Sequence, residues 1–223
     1  FMTPLEFLAV VLPSPGHGYY CAAELTTKRK EHVYEESLEA LQPAVDKWNA
    51  KDQDVYFALA TFEQQGNREA ANAKYLKSMF IDMDGYASKK DAALALTNFL
   101  TATGLDALGD PWLVSSGGGI HAYWPLTAEV EVAKWKPVAE NLKRLCRHKA
   151  LNIDMSVTAD AARVLRYPGT RNHKKKYDKP RDVKLLLPGG NFDFEQFASI
   201  VEQQLPTAVV APPTALIAGT KPK

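Results

Sequence analysis

The stretch Phe80-Ile81-Asp82-Met83-Asp84-Gly85 places two carboxylates one residue apart at the end of an apolar run. In a β-strand, residues two apart share a face, so Asp82 and Asp84 project together while Ile81 and Met83 turn into the core. Two like charges side by side are costly unless a cation neutralises them. Hard oxygen donors at this spacing suit Mg²⁺ or Mn²⁺ held jointly with substrate phosphates. Acid-tipped strands are common, so the meaning of this one depends on the other polar motifs of the chain.

Downstream, Ser115-Ser116-Gly117-Gly118-Gly119-Ile120-His121 reads as a tight glycine turn between two strands, Leu113 to Ser115 and Ile120 to Trp124. The glycines let backbone approach a ligand and leave N–H groups for phosphate oxygens. Alternation then places His121 and Tyr123 on one face of the second strand. No Gly-Lys-Ser or Gly-Lys-Thr comes after the turn, so this is not a Walker A loop. Further on, Asn152-Ile153-Asp154 offers a third carboxylate. Arg163 and Arg166 lie in an apolar run, a costly setting unless an anion pairs with them. Forked guanidinium groups suit phosphate, whereas the structural alternative is salt bridging to the Asp cluster.

Around these motifs the chain is ordinary. Its 223 residues are 46% hydrophobic and 24% charged, enough for one sizeable domain or a domain with a small appendage. No apolar run approaches the ~20 residues that cross a bilayer, and no signal peptide is expected, since Met2 leads into Thr-Pro-Leu-Glu. Cys21 and Cys146 are too few and too far apart for a disulfide framework or a cysteine zinc site, which points to a reducing interior. The net charge is only +1, but it is unevenly spread. From Arg163 to Arg181 eight Lys or Arg face one acid, and from Lys134 to Lys149 six face one. Local cationic faces on a neutral chain suggest a polyanion at a defined place; solvated surfaces are the alternative.

Periodicity predicts strands at Tyr19 to Ala22 and Val55 to Ala60 around a helix from about Ser37 to Asn49. A short helix is expected over Glu69 to Ala73, and the acidic strand spans Lys77 to Met83. Ser88-Lys-Lys-Asp91 has the form of a capping box, opening a helix that Gly104 stops. Trp135, Val138, Leu142 and Leu145 repeat at helical spacing, with Trp112, Trp124 and Trp135 expected in the core. Strands are expected at Val164 to Tyr167 and Val183 to Leu187, and Asp193 opens a last helix. Lys28-Arg29-Lys30 reads as a solvated hairpin tip, and Arg68 and Asn72 as neighbours on a surface helix. Beyond Leu205 the sequence turns Pro- and Ala-rich and reads as a linker.

Together, Phe80-Ile-Asp-Met-Asp84, Ser116-Gly-Gly-Gly-Ile-His121 with Tyr123-Trp124, Ile153-Asp154, and Arg163-Val-Leu-Arg166-Tyr-Pro-Gly-Thr170 with Asn172 resemble the archaeo-eukaryotic primase superfamily. The match is to the primase-polymerase domains of phage and plasmid replication proteins, over about Tyr19 to Leu187. The resemblance implies an α/β (α+β) fold: a mixed, mostly antiparallel sheet like that of RNA-recognition motifs, flanked by helices, plus an amino-terminal subdomain. The expected division is a catalytic domain over 1–205 and a linker over 206–223 toward a carboxy-terminal region. Within the domain, a subdomain takes about 1–75, the core about 76–190 and a closing helix about 193–205.

The resemblance also implies roles. Asp82, Asp84 and Asp154 would be the catalytic carboxylates and ligands of two divalent ions, Mg²⁺ or Mn²⁺. Ser116, Gly117, Gly118, Gly119 and His121, with Arg163, Arg166 and Lys174, would hold the incoming nucleotide. Arg171, Lys175, Lys176, Lys143 and Arg147 are candidates for nucleic acid. Gly119 departs from the family pattern, which has Ser two residues before the motif His; Ser116 or backbone N–H must then supply that hydrogen bond. The implied activity is template-dependent nucleotidyl transfer, making and extending primers on single-stranded DNA from NTPs or dNTPs. The implied setting is the cytoplasm of a bacterial or archaeal host, beside a helicase or other replication domain and away from membranes. Two rivals stand: a haloacid-dehalogenase-type phosphatase with Asp82 as nucleophile, and an inactive nucleic-acid-binding initiator module of the same fold.

Overall fold

Two antiparallel sheets pack face to face in this computed structural model, which describes residues 2–207. All but the first two residues of the expected linker lie outside the described range. The chain opens with α1 (Pro4–Val11), then the hairpin β1 (Tyr20–Glu24) and β2 (Glu31–Glu35), α2 (Gln42–Ala50) and β3 (Val55–Ala58). Next come β4 (Ala60–Phe62), the long β5 (Ala73–Met83), α3 (Lys89–Thr103), β6 (Trp112–Ser115), β7 (Ile120–Glu131) and α4 (Val132–His148). Three short strands, β8 (Val164–Arg166), β9 (Arg171–Asn172) and β10 (Arg181–Asp182), precede β11 (Lys184–Leu187) and α5 (Phe194–Gln203).

The larger sheet has the order β11-β6-β7-β5-β4 and the smaller β2-β1-β3-β8, with β9 and β10 forming a separate ribbon. Among the described residues every ladder is antiparallel and one isolated bridge, Leu126 to Phe192, is parallel, in keeping with the mixed, mostly antiparallel sheet expected. One face of the larger sheet turns to the smaller: Tyr123 on β7 meets Phe7 of α1 edge-on at 5.3 Å and stacks near Phe57 of β3 at 6.4 Å. The opposite face carries Trp124, which packs on Phe197 of α5 at 5.7 Å. Trp112, Trp124 and Trp135 are all buried, and the Trp135 indole donates to the Ser78 carbonyl. No helix of the described residues is long and apolar enough to cross a membrane.

Local signals set most element ends. The Ser88 hydroxyl accepts from the Asp91 amide at the start of α3, and Gly104 closes it at φ 75°, a conformation glycine adopts without strain. Asp193 caps α5 through the Gln196 amide. The Thr3-Pro4-Leu5-Glu6 run starts α1 with a complete capping box, a signal present in the sequence that periodicity alone passes over.

Three expectations change. The strand read over Val55 to Ala60 breaks at the buried Leu59, where the chain leaves the smaller sheet and enters the larger as β4. The helix expected over Glu69 to Ala73 is only a 3-10 turn at Ala70–Asn72, and β5 begins at Ala73. There the Asn72 side chain bonds Gln64 and Asn67, local bonds that compete with a helix, while the Arg68 guanidinium is turned to His32 and the Ala162 carbonyl. Finally, the two sheets draw on both sides of the boundary expected near residue 75. β4 joins the later sheet, and β8 pairs with β3 of the earlier one.

Candidate active site

Asp82 is the penultimate residue of the ladder between β5 and β7, where its cross-strand partner is His121. The Asp82 carbonyl accepts from the Asp154 amide at 2.8 Å, and this backbone tie brings the third carboxylate to the strand end from a long loop. Asp82, Asp84 and Asp154 line one cleft of about 200 Å³ together with His121, Tyr56, Arg163, Arg166 and Lys174. The far wall is the β3–β8 pair of the smaller sheet, with Tyr56 opposite Arg166 in register. Three carboxylates and four basic groups, drawn from both sheets, thus face one space.

Their pairings are loose. Asp82 lies 3.6 Å from His121, Asp154 3.9 Å from Arg163 and Asp84 4.0 Å from Lys174, all beyond hydrogen-bond length. Burial pulls the His121 imidazolium down in pKa, against the opposing pull of Asp82, so a neutral ring faces the carboxylate at pH 7. Asp154 is held below the ordinary carboxylate value chiefly by the Ser156 hydroxyl, with the Ser156 amide and Arg163 adding to it. Among the described residues no three His, Cys, Asp or Glu side chains stand close enough together to cage an ion. Asp84 and Asp154 instead lean toward Lys174 and Arg163, and Asp82 toward the neutral His121 ring.

Arg166 is different. It is buried at 6% exposure, donates to Asp54 at 2.8 Å, and lies 5.0 Å over the Tyr56 ring. The structural alternative for this arginine is therefore realised with Asp54 rather than with Asp82, Asp84 or Asp154, although its side chain still borders the cleft. The same Asp54 oxygen accepts from the His173 amide at 2.8 Å and so anchors the segment carrying Lys174. Sequence reasoning missed Asp54, and no spacing marks it. Tyr56 was likewise unread.

The glycine turn sits beside the cleft rather than in it. Its amides were expected to be free, but the turn engages most of them: Ser116 N–H donates to the Gly119 carbonyl, Gly117 N–H to the Ser115 hydroxyl and Gly119 N–H to the Ser116 hydroxyl. Among the described residues only the Gly118 amide is left. The Ser116 hydroxyl instead accepts from the Gly119 amide within the turn. A side chain at Gly119 would put its Cβ 2.2 Å from the Met83 carbonyl, so the departure from serine has a steric cause in how closely β5 approaches. Asn172 pins the turn from below through the Ser116 carbonyl at 2.7 Å.

The remaining candidates scatter. Lys176 borders a neighbouring cavity with Asp84 and Gly118, and Arg171 a further one, where it also faces Asp52 at 3.7 Å. Lys175 is exposed on the loop between β9 and β10. Lys143 and Arg147 lie on α4, Lys143 near Glu140 at 4.0 Å, and neither lines the cleft.

No protein-family model matches the chain. A replication protein of Clostridium perfringens is 30% identical over 128 residues, which is 56% of this chain and 30% of that protein's length. Among solved structures, the chain is similar to the primase-polymerase domain of cyanophage S-2L, with a TM-score of 0.58 at 17% identity over 83% of this chain and 89% of that one. It is also similar to the primase RepB′, with a TM-score of 0.55 at 16% identity over 85% of this chain and 57% of that one. The catalytic domain of RepB′ in complex with initiator DNA gives 0.53 at 16% identity, over 83% and 84% of the two chains. The α+β arrangement of two large antiparallel sheets, a short ribbon and five α-helices among the described residues is therefore the primase-polymerase fold.

Proposed function

We propose that this chain is the catalytic domain of a replication primase-polymerase, a template-dependent nucleotidyltransferase that makes primers and extends them. The observation carrying the reading is the convergence of Asp82, Asp84 and Asp154 with His121, Arg163, Arg166 and Lys174 on one cleft, in a fold shared with primases. The donor set suits Mg²⁺ or Mn²⁺: all three acids offer hard oxygens, and the basic side chains that face them at 3.6–4.0 Å are held loosely enough to exchange, while Ser156 keeps one Asp154 oxygen oriented. Asp82, Asp84 and Asp154 would hold such ions, whose charge would favour ionisation of a 3′-hydroxyl and departure of pyrophosphate.

The chain's own residues do the rest. Arg163 and Lys174, held only loosely by Asp154 and Asp84, border the cleft where triphosphate oxygens would lie and would take them. Arg166 is fixed by Asp54 and presents its charge without reorganisation. Neutral His121 can donate one hydrogen bond to a phosphate oxygen while its other ring nitrogen accepts. Single-stranded DNA with a primer, and NTPs or dNTPs, are the substrates this reading requires; initiator DNA is bound by the RepB′ domain of the same fold. A phage or plasmid replicon and a helicase or other replication domain beyond residue 205 complete it.

The phosphatase rival, with Asp82 as nucleophile and Asp84 as acid/base, also needs a later Gly-Asp with a further Asp a few residues on; Gly109-Asp110 is followed by Pro-Trp-Leu-Val-Ser-Ser, which lacks it. Val114 lies opposite His121, which lies opposite Asp82, so Asp110 stands four residues before that register position, ahead of β6. That is about 13 Å at strand rise, out of reach for shared chemistry. To test the proposal, a labelled primer on a single-stranded template is incubated with Mn²⁺ and each nucleotide set, beside a template-only reaction. Template-dependent product that the Asp82→Ala/Asp84→Ala variant fails to make supports it, and product without primer establishes priming. Absence of product from the wild-type chain moves the reading to the binding module.

A further inference from the structure

Two more cavities continue from the carboxylate cleft. One of about 580 Å³ shares Asp84 with the cleft and runs past Gly118 to Tyr177 and Arg181. Another, of about 510 Å³, shares Lys89 and Arg181 with it. The three form a trench leading from the acids, over the glycine turn, to the space between the start of α3, the β9–β10 ribbon and β11.

The far end of the trench is strongly cationic. Lys89, Arg171, Lys179, Arg181 and Lys184 line it against one acid, Asp182. Among the described residues Lys89, Lys179, Arg181 and Lys184 have no carboxylate within ion-pair distance, and Arg171 has only the loose contact to Asp52. Crowding is already felt in the structure, where burial and then the neighbouring Arg181 and Lys184 push the Lys89 ammonium down in pKa. Like charges gathered around a concavity without counter-charges of their own favour an anion there.

The middle of the trench carries an aromatic group. The Arg181 guanidinium lies 3.9 Å from the centre of the Tyr177 ring, and Arg181 is itself tethered to the Gly117 carbonyl at 3.4 Å. The Tyr177 hydroxyl sits directly above Gly118, where a Cβ would come within 1.9 Å of it. The ribbon that carries this stack is locked to the glycine turn by Asn172, which is 2% exposed. The platform is thus held in place beside the cleft.

A cationic groove combined with a stacking surface is how single-stranded nucleic acid is bound without sequence preference. A lone triphosphate would call for donors converging on one point, whereas these cations are spread over a helix start, a ribbon and an edge strand. We propose that this trench is the binding path of single-stranded nucleic acid, with Tyr177 and Arg181 stacking a base and Lys89, Lys179 and Lys184 holding the backbone. The assignment rests on the nucleotidyltransferase reading only for its use: the strand in the trench would be the template.

Binding of a fluorescent oligothymidylate, followed by anisotropy in EDTA without nucleotide at several salt concentrations, tests it. Lys179→Ala/Lys184→Ala should weaken binding about tenfold and reduce the slope of log affinity on log salt by about 1.4, two phosphate contacts at about 0.7 each. Tyr177→Ala should weaken it about tenfold with the slope unchanged, and Tyr177→Trp should keep wild-type affinity, which separates loss of stacking from loss of the ribbon's fold. Lys143→Ala/Arg147→Ala on α4 should bind as wild type. Trench variants that bind normally, or a loss confined to the α4 variant, overturn the proposal. Because the assay contains no metal or nucleotide, such a failure leaves primer extension untouched, and loss of extension leaves trench binding standing.

Discussion

The two walls of the cleft are built on opposite terms. On the β5–β7 wall, Asp82, Asp84 and the adjoining Asp154 face His121, Lys174 and Arg163 at 3.6–4.0 Å, with the acids' side chains partly open to solvent. On the β3–β8 wall, Arg166 and Asp54 meet at 2.8 Å with 7% and 12% of their side chains exposed. Loose exposed pairs are worth little and exchange readily. A tight buried pair is costly to break, because each partner alone is a desolvated charge. One wall is therefore free to reorganise around ligands, and the other is fixed in advance.

The largest effect expected of this difference is on the loose wall and on chemistry alone. Asp82→Ala should lower primer extension by about 10³-fold or more while changing unfolding free energy by no more than about 0.5 kcal/mol. Mn²⁺ at a hundred times its dissociation constant should stabilise the wild type by about 2.7 kcal/mol and Asp82→Ala/Asp84→Ala hardly at all, measured by thermal unfolding. Retained extension in Asp82→Ala would remove the assignment.

The tight wall should respond the other way. Asp54→Ala is expected to cost about 3–5 kcal/mol in denaturant unfolding, since it strands Arg166 and frees the His173 amide. Arg163→Ala, from a loose pair, should cost under about 1 kcal/mol yet raise the nucleotide KM by about tenfold. Equal stability losses in the two would erase the contrast. Gly119→Ser probes the junction of strand and turn: its Cβ collides with the Met83 carbonyl, and a destabilisation of about 1–3 kcal/mol is expected along with weaker synthesis. A neutral Gly119→Ser would show that the end of β5 can give way.

The smallest effect lies away from the cleft. Glu129 of β7 accepts from the hydroxyl and amide of Ser14, and although burial opposes it, these bonds bring its pKa down to about 2. A depressed carboxylate stabilises the fold above its unfolded value near 4.5, and that contribution is lost as pH falls toward about 2. Glu129→Gln should thus narrow the difference in stability between pH 5 and pH 3, with no change in how synthesis depends on metal.

Much of the loose wall was legible beforehand. Asp82 and Asp84 follow from strand alternation, His121 from the glycine turn, and Asp154, Arg163 and Lys174 from motifs read in order along the chain. The fixed wall was not. Asp54 and Arg166 are 112 residues apart, and an acid before an apolar strand looks like any other solvated end. The free amides expected of the glycine turn also failed to appear, because Ser115 and Ser116 close the turn on itself. Tyr177 and Arg181 were visible only as part of a basic run, with nothing to show that they stack.

What the sequence determined by itself is whatever physics acts over a few residues: strand alternation at Asp82 and Asp84, helix starts at Ser88 and Asp193, the stop at Gly104, and the uneven charge along the chain. Tertiary structure decided which of these meet. It carried β4 and β8 across between the sheets, brought Asp154 to Asp82 by one backbone hydrogen bond, gave Arg166 to Asp54, and laid a cationic trench over the glycine turn. Alternation and capping repeat within one or two turns of chain and leave a pattern. A contact between residues a hundred positions apart depends on how two sheets pack, and leaves none.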